Sequence, residues 1–170
     1  MRIPRNLLQT LGCAALVSLM ISPILAQQSV AELQGHFDRE NNSVKKAKLM
    51  VKLGEAQFEQ ARLAGKDGDN NAVDATLEKY RDNVRAALEA LKKQHADAEK
   101  HSNGYRQMEI HVKEGIREVE DSMLAAPVPY KPPLQIVRQD LIAMDEELIS
   151  LLFPHRPADK QLAPPPEKQP

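Results

Sequence analysis

The chain has 170 residues, and its 23 Lys and Arg nearly balance its 24 Asp and Glu, so that the formal net charge is −1. This balance excludes the strongly basic surface with which a protein attracts nucleic acid or an anionic membrane. The chain has no Trp and only three Tyr and three Phe, so its core has to consist mainly of aliphatic side chains. Such a composition favours helices over a β-sandwich, and the length allows one domain.

The first 26 residues have the pattern of a secretory signal peptide. Arg2 and Arg5 come before an apolar run that extends to Ile21, and the segment closes on the small residue Ala26. This order is typical of an export leader, and the run is shorter than the roughly 20 residues that span a bilayer. We therefore predict cleavage after Ala26, a periplasmic or secreted protein, and no integral membrane segment in the mature chain. An uncleaved N-terminal anchor is the alternative.

Residues 27–42 are predicted to be an N-terminal segment that either makes a short helix or extends the next one. Four longer segments then carry apolar residues at three- and four-residue spacing, which is the period of an amphipathic helix. The predicted helices are about 43–64, 72–100, 105–124 and 134–153. In the last of them the apolar stripe consists of Leu134, Val137, Leu141, Met144, Leu148 and Leu151.

The breaks between these segments are rich in Gly, Asn and Pro. Residues 65–70 are predicted to form a turn, and Gly104 is suited to a left-handed helix cap that follows the second helix. The proline-rich link 125–133 is predicted to be extended, because proline cannot continue a helix. The tail 154–170 is proline-rich and polar, a composition that predicts disorder.

Four amphipathic helices are expected to pack against one another. Alone, each would expose about half a dozen apolar side chains, at roughly 1.5–3 kcal/mol for each large one. Short turns between successive helices predict antiparallel neighbours. The predicted fold is therefore all-α, an antiparallel helical bundle of about four helices within residues 43–153. The alternative is a long helical hairpin that completes its core by dimerisation.

Two sets of side chains have spacings that metal sites use. The first follows an EF-hand calcium loop and consists of Asp67, Asp69, Asn71 and Glu78. Ala72, however, occupies the position where such a loop needs glycine for its sharp turn. The second set has i,i+4 spacing, suited to calcium or zinc on one helix face, and consists of Glu32, His36 and Glu40. The competing interpretations are a polar hairpin turn and a solvated helix face, and no cofactor is predicted.

Nothing in the sequence indicates covalent catalysis. The single cysteine, Cys13, lies within the predicted leader, so the mature chain has no thiol nucleophile and no disulfide. The serines of the mature chain stand in neither a Gly-x-Ser-x-Gly nor a Ser-x-x-Lys context. We therefore predict that the protein is not an enzyme.

The mature chain resembles a family of uncharacterised exported bacterial helical proteins. The resemblance covers most of residues 36–157 and rests on Phe37-Asp38-Arg39-Glu40, Val44-Lys45-Lys46-Ala47-Lys48-Leu49, Lys52-Leu53-Gly54, Tyr80-Arg81-Asp82, Gly104-Tyr105, Glu109-Ile110-His111 and Leu151-Leu152-Phe153-Pro154. It implies an exported helical domain. It carries over no functional residue.

The sequence thus predicts a non-catalytic protein-binding or structural module of the cell envelope. Its expected partners are proteins, or a second copy of the chain in a homodimer, bound through the apolar helix seams; nucleic acid is not expected. Two alternatives are a metal-responsive periplasmic sensor for calcium or zinc, and a chaperone-like holdase that protects unfolded clients.

Overall fold

The computed structural model describes residues 29–154; the predicted signal peptide and the tail beyond Pro154 lie outside the described residues. The described part contains no β-strand. It consists of one 3₁₀ turn, Val128–Tyr130, and five helices: α1 Val30–Arg39, α2 Ser43–Lys66, α3 Asn70–Gln94, α4 Ser102–Ala125 and α5 Lys131–Leu152. The predicted all-α bundle is confirmed, with a fifth helix at its N-terminal side. None of these helices is long and apolar enough to cross a membrane.

The four long helices form two hairpins that lie side by side. Helix α2 packs against α3 and α4, and α5 packs against α4 and α3. Near the C-terminal end of α2, Arg62 bonds Glu118 near the C-terminal end of α4 at 2.6 Å. Lys92 of α3 bonds Glu147 of α5 in the same way, at 2.7 Å. The predicted antiparallel packing therefore holds within each hairpin, whereas the neighbours across the two hairpins run parallel.

Helix α1 is a separate element that packs on the side of α2. Ser29 caps it in a capping box, because its hydroxyl accepts from Glu32 N and its own N–H donates to the Glu32 carboxylate. The amides of Gln34 and Asn83 then exchange two hydrogen bonds of 3.1 and 2.9 Å, which tie α1 to α3. The short-helix form of the N-terminal segment is the one observed.

Helix α3 ends at Gln94, six residues before the predicted end at Lys100. The side chain of Gln94 accepts a hydrogen bond from Ser43 N at 3.0 Å and donates one to Asn41 O at 2.6 Å. The next residue is His95, whose backbone carbonyl accepts a hydrogen bond from the Tyr105 hydroxyl at 2.7 Å and not from a backbone N–H of a longer helix. These long-range bonds end α3, and residues 95–101 turn the chain towards α4.

The predicted left-handed cap at Gly104 is wrong, because Gly104 lies within α4. Its role is close packing: a Cβ built there would lie 2.8 Å from a methyl carbon of Leu91. In the described chain, the positive φ belongs to Gly68, at 77° in the turn between α2 and α3. That turn is shorter than predicted, because α2 continues to Lys66 and α3 begins at Asn70.

The proline-rich link is more helical than predicted. The 3₁₀ turn Val128–Tyr130 leads directly into α5, which begins at Lys131 instead of Leu134. Pro132 and Pro133 therefore lie in the first turn of α5, where the backbone N–H that proline lacks would have no helical partner. The extended conformation predicted for this link is wrong for that reason.

The predicted seams form the core of the bundle within a single chain. The core residues of α5, for example, are Leu134, Val137, Leu141, Met144, Leu148 and Leu152. Leu152 takes the place of the predicted Leu151, which is half-buried. In α2, Met50 and Leu53 are fully buried, whereas Val51 is half-buried. Because the seams meet one another inside one copy, the chain forms the predicted bundle and not the open hairpin.

The middle of the bundle is filled by three rings, those of Phe58, Tyr80 and His111. The Phe58 and Tyr80 centroids lie 4.6 Å apart, and the Phe58 and His111 centroids 5.5 Å apart. The Tyr80 hydroxyl donates to the backbone carbonyl of His111 at 3.0 Å. Two glycines make room for these rings: a Cβ at Gly54 would overlap His111, and a Cβ at Gly115 would overlap Tyr80.

His111 is an ionisable side chain buried in this cluster, with 1% of its surface exposed. Its Nδ1 lies 3.2 Å from the Glu114 carboxylate, while its Nε2 has no hydrogen-bond partner. Burial lowers the pKa of His111, and Glu114 opposes that shift only in part. We therefore expect a neutral imidazole at pH 7.

Candidate functional site

The residues predicted as a calcium loop lie in the turn between α2 and α3 and in the helix that follows it. Asp67 is the C-terminal cap of α2, and the Asp69 carboxylate caps α3 by accepting from Ala72 N at 3.0 Å. Asn71 and Glu78 belong to the regular helix α3. Among residues 29–154, no group of three or more His, Cys, Asp or Glu side chains is arranged to hold a metal ion.

The second predicted set lies on and next to α1. Glu32 belongs to the capping box at the start of that helix, and His36 is exposed on its surface. Glu40 follows the helix, and its carboxylate accepts a hydrogen bond from Asn42 N at 2.8 Å. Two of the three predicted ligands are therefore already bonded to backbone amides.

The candidate site is a cavity of about 580 Å³ at the end of the bundle where both hairpins turn. We call it the end cavity. Four helices contribute to its wall: the last turns of α2 and α4 and the first turns of α3 and α5. Its lining consists of Ala61, Arg62, Gly65, Lys66, Asn70, Val73, Asp74, Glu118, Asp121, Ser122, Ala125, Ala126 and Leu134.

Small residues leave this space open. Ala61 and Gly65 lie one turn apart on α2, and Ala125 and Ala126 end α4 on the facing side. A glycine or an alanine at the contact is too small to fill the space between two helices as a leucine side chain would. The cavity therefore results from the sizes of the side chains at the helix ends.

One carboxylate oxygen of a residue that lines the end cavity is sealed from solvent and has no hydrogen-bond partner. It is Oδ1 of Asp74, in the second turn of α3. Burial, together with the charge of Glu78, raises the pKa of Asp74 above its ordinary value. A buried acceptor without a donor is costly. Because this oxygen is sealed from solvent, a ligand in the end cavity would reach it only if the Asp74 side chain turned.

The other charges of the lining differ in whether they are paired. Arg62 bonds Glu59 and Glu118 at 3.1 and 2.6 Å, and its charge is thereby neutralised. Lys66 and Asp121 have no ion-pair partner in the described chain. The lining thus holds three acids and two bases, so its net charge is negative.

The geometry of the end cavity suits binding. Pockets that hold ligands are concave, are lined largely by apolar side chains and contain a few polar groups that orient the ligand. Here Val73 and Leu134 are buried at the wall, and Asp74 supplies a polar group among them. The lining contains one hydroxyl, that of Ser122, and no histidine that could activate it.

A second concave surface is the groove between α2 and α4, about 530 Å³ in volume. His111 and Gln107 line it, and each has a buried atom without a hydrogen-bond partner. The groove is more open than the end cavity. In addition, the imidazole packs against Gly54 and Tyr80 as part of the core, so we take the end cavity as the candidate site.

The sequence indicates the turn beside the end cavity but not the cavity itself. Its spacing predicts Asp67 and Asp69 as ligands and assigns no role to Asp74 or Asp121. One signal was present: Ala61 and Gly65 end one helix, and Ala125 and Ala126 end another. Only knowledge that these two helix ends are neighbours gives that pattern a meaning.

Comparison with known proteins gave no relative. No protein-family model matches the chain, and no curated protein and no solved structure matches it either. The resemblance to exported bacterial helical proteins therefore stays a prediction, and the functional argument rests on the end cavity.

Proposed function

We propose that this protein is a non-catalytic binding module of the cell envelope, located in the periplasm or outside the cell, that captures a protein partner at the end cavity. The observation that carries the proposal is a space of about 580 Å³ between four helix ends, at the end of the bundle where Leu124 and Val128 are exposed. Residues 29–154 do not fill this space themselves. A partner that enters it gains apolar burial.

The wall of the end cavity is held by regular helices, which favours binding. The ion pair between Arg62 and Glu118 joins α2 to α4 at this end. Arg138 and Glu120 join α5 to α4 through a 2.6 Å contact. A preformed site reduces the conformational entropy that association would otherwise cost.

Exposed apolar side chains at the same end suit a protein better than a small molecule alone. Leu124 is 81% exposed at the end of α4, and Val128 is 79% exposed in the following 3₁₀ turn. Large exposed apolar side chains beside a pocket are typical of protein contact surfaces. We place the partner at this end of the bundle and not on the helix seams, because the seams are buried in the core.

Site-specific photo-crosslinking in cells that make the protein tests the proposal. A photoreactive residue at Ser122, inside the end cavity, is expected to form an adduct with one protein. A second copy of the chain as the adduct would assign the site to self-association. The same photoreactive residue at Ala86, an exposed position of α3, is the control and is expected to form no such adduct.

A matched pair of tryptophan variants completes the test. Ala125→Trp fills the end cavity from an exposed lining position and is expected to abolish the Ser122 adduct. Ala86→Trp adds the same ring at an exposed position away from the cavity and is expected to leave the adduct unchanged. An adduct that survives Ala125→Trp, or that forms equally at Ala86, would contradict binding at the end cavity.

A further inference from the structure

We propose that the loop between α3 and α4 carries a binding site for a divalent copper ion, held by the imidazoles of His95 and His101. The two rings are in contact, with their centroids 4.6 Å apart and their planes inclined by 39°. The loop follows the C-terminal end of α3 and precedes the N-terminal end of α4, so it lies at the opposite end of the bundle from the end cavity. This site is therefore independent of the binding proposed at the end cavity.

Both rings have nitrogen atoms that are available to a metal ion. His101 is exposed and His95 is half-buried. Among residues 29–154, neither ring takes part in a hydrogen bond. Because imidazole nitrogen is the commonest metal ligand that proteins use, two free rings in contact supply two ligands at one place.

The spacing of the two rings is that of imidazoles bound side by side to one ion. A metal–nitrogen bond of about 2.0 Å places the ion about 3.2 Å from each ring centroid. The observed separation of 4.6 Å then corresponds to an angle of about 90° between the two bonds. Square-planar copper(II) and nickel(II) use that angle, whereas tetrahedral zinc would hold the centroids about 5.2 Å apart.

The rings can turn towards a shared ion without any movement of the backbone. The bond from Cβ to Cγ points nearly at the centre of the imidazole ring, so rotation about it leaves the centroid in place and changes only where the nitrogens point. This rotation is broad for histidine. Since no hydrogen bond holds either ring, each can direct one nitrogen at the ion.

The backbone, in contrast, is held in place on both sides of the pair. The His95 carbonyl accepts a hydrogen bond of 2.7 Å from the hydroxyl of Tyr105, whose ring is buried in the core. The His101 N–H donates to the Asp97 carbonyl at 3.2 Å, and Ala98 between them is buried. Ligands that are already positioned reduce the entropy that binding costs.

The two imidazoles are the whole contribution of the described chain to this site. Within residues 29–154, no third His, Cys, Asp or Glu completes a metal-binding group. The Asp97 carboxylate, for example, is already bonded to the backbone N–H and the ammonium group of Lys100, at 3.1 and 2.9 Å. Water would therefore fill the other positions around the ion. With only two protein ligands, copper(II) is favoured over nickel and zinc, because nitrogen sites bind it most tightly among these divalent ions.

The test is a calorimetric titration of the untagged protein with Cu²⁺. One ion is expected to bind at the pair, and His95→Gln and His101→Gln are each expected to weaken this binding about tenfold or more, because each variant removes one of two ligands. His36→Gln removes an exposed histidine of α1 and is the matched control, with no change expected. Full-strength binding in either loop variant would overturn the shared site.

Two measurements on the unmodified protein decide the question even if a loop variant does not fold. Pulsed electron paramagnetic resonance of the Cu²⁺ complex is expected to detect two coordinated imidazoles, and one or none would overturn the proposal. In NMR spectra, substoichiometric Cu²⁺ is expected to broaden the backbone signals of residues 95–101 first. Broadening that begins at His36 in α1 would place the ion elsewhere and reject this site.

Discussion

The middle of the bundle and its turn end use small residues in opposite ways. In the middle, Gly54 and Gly115 lie against large rings, and the missing side chains are what allow His111 and Tyr80 to fit. At the turn end, Ala61 faces other small residues, and a space of about 580 Å³ remains. A small residue therefore closes a core when its neighbour is large and opens one when its neighbour is small.

The largest expected effect is that of a charge in the closed core. Leu141 is fully buried in α5, so Leu141→Asp is expected to cost about 4 kcal/mol or more, because the carboxylate finds no partner. Val51 borders the open groove beside Lys48 and Lys52, and Val51→Asp is expected to cost much less. Thermal melting of both variants checks this difference, and equal losses would place Val51 in the core.

The next largest effect is expected when a glycine in the middle of the bundle is replaced by alanine. In Gly115→Ala the new methyl group would lie 2.6 Å from Tyr80 Cζ, so the variant is expected to lose about 2 kcal/mol through overpacking. Gly35→Ala is the matched control in α1, where the nearest atom is Arg39 Nη2 at 3.5 Å. It is expected to gain about 0.5–1 kcal/mol, because alanine loses less entropy in a helix. Urea unfolding measures both.

A pair of alanine variants compares the two regions directly. Ala87 is fully buried in α3, away from the end cavity, so Ala87→Leu is expected to cost about 2 kcal/mol through overpacking. Ala61 borders the cavity, and Ala61→Leu is expected to change the free energy of unfolding by less than about 1 kcal/mol because the added atoms fill empty space. Similar losses in both would mean that the end cavity is not free to accept a side chain.

The smallest expected effect is a pH dependence of the free energy of unfolding that comes from His111 in the middle of the bundle. Because burial lowers the pKa of His111, the unfolded chain takes up a proton at a higher pH than the folded chain does. The stability that the neutral, buried His111 contributes is therefore fully present above about pH 6.5, the ordinary pKa of histidine, and is lost as the pH falls below it. Urea midpoints at pH 7.5 and 5.5 should differ more in the unmodified protein than in His111→Gln. An equal difference in both would assign the pH dependence to other groups.

Particular residues show where sequence reasoning was sufficient. In α5, for example, Leu134, Val137 and Leu141 are buried as their spacing predicts. At Pro132 the same reasoning was wrong, because a proline that breaks a helix interior is tolerated in its first turn. The end of α3 was also misplaced, since nothing local at Gln94 stops a helix.

The sequence by itself determined that this protein is helical, where its apolar stripes lie and roughly how many helices they make. These features follow from the spacing of apolar residues over a few positions, so they can be recognised within each helical segment alone. Only the tertiary structure decided where α3 ends, that α2 and α4 run parallel, and that an end cavity exists. Each of these depends on residues far apart in the chain: Gln94 meets Ser43 across 51 positions, and Arg62 meets Glu118 across 56. The cavity is the space left where four such distant segments meet without large side chains, so no single segment encodes it.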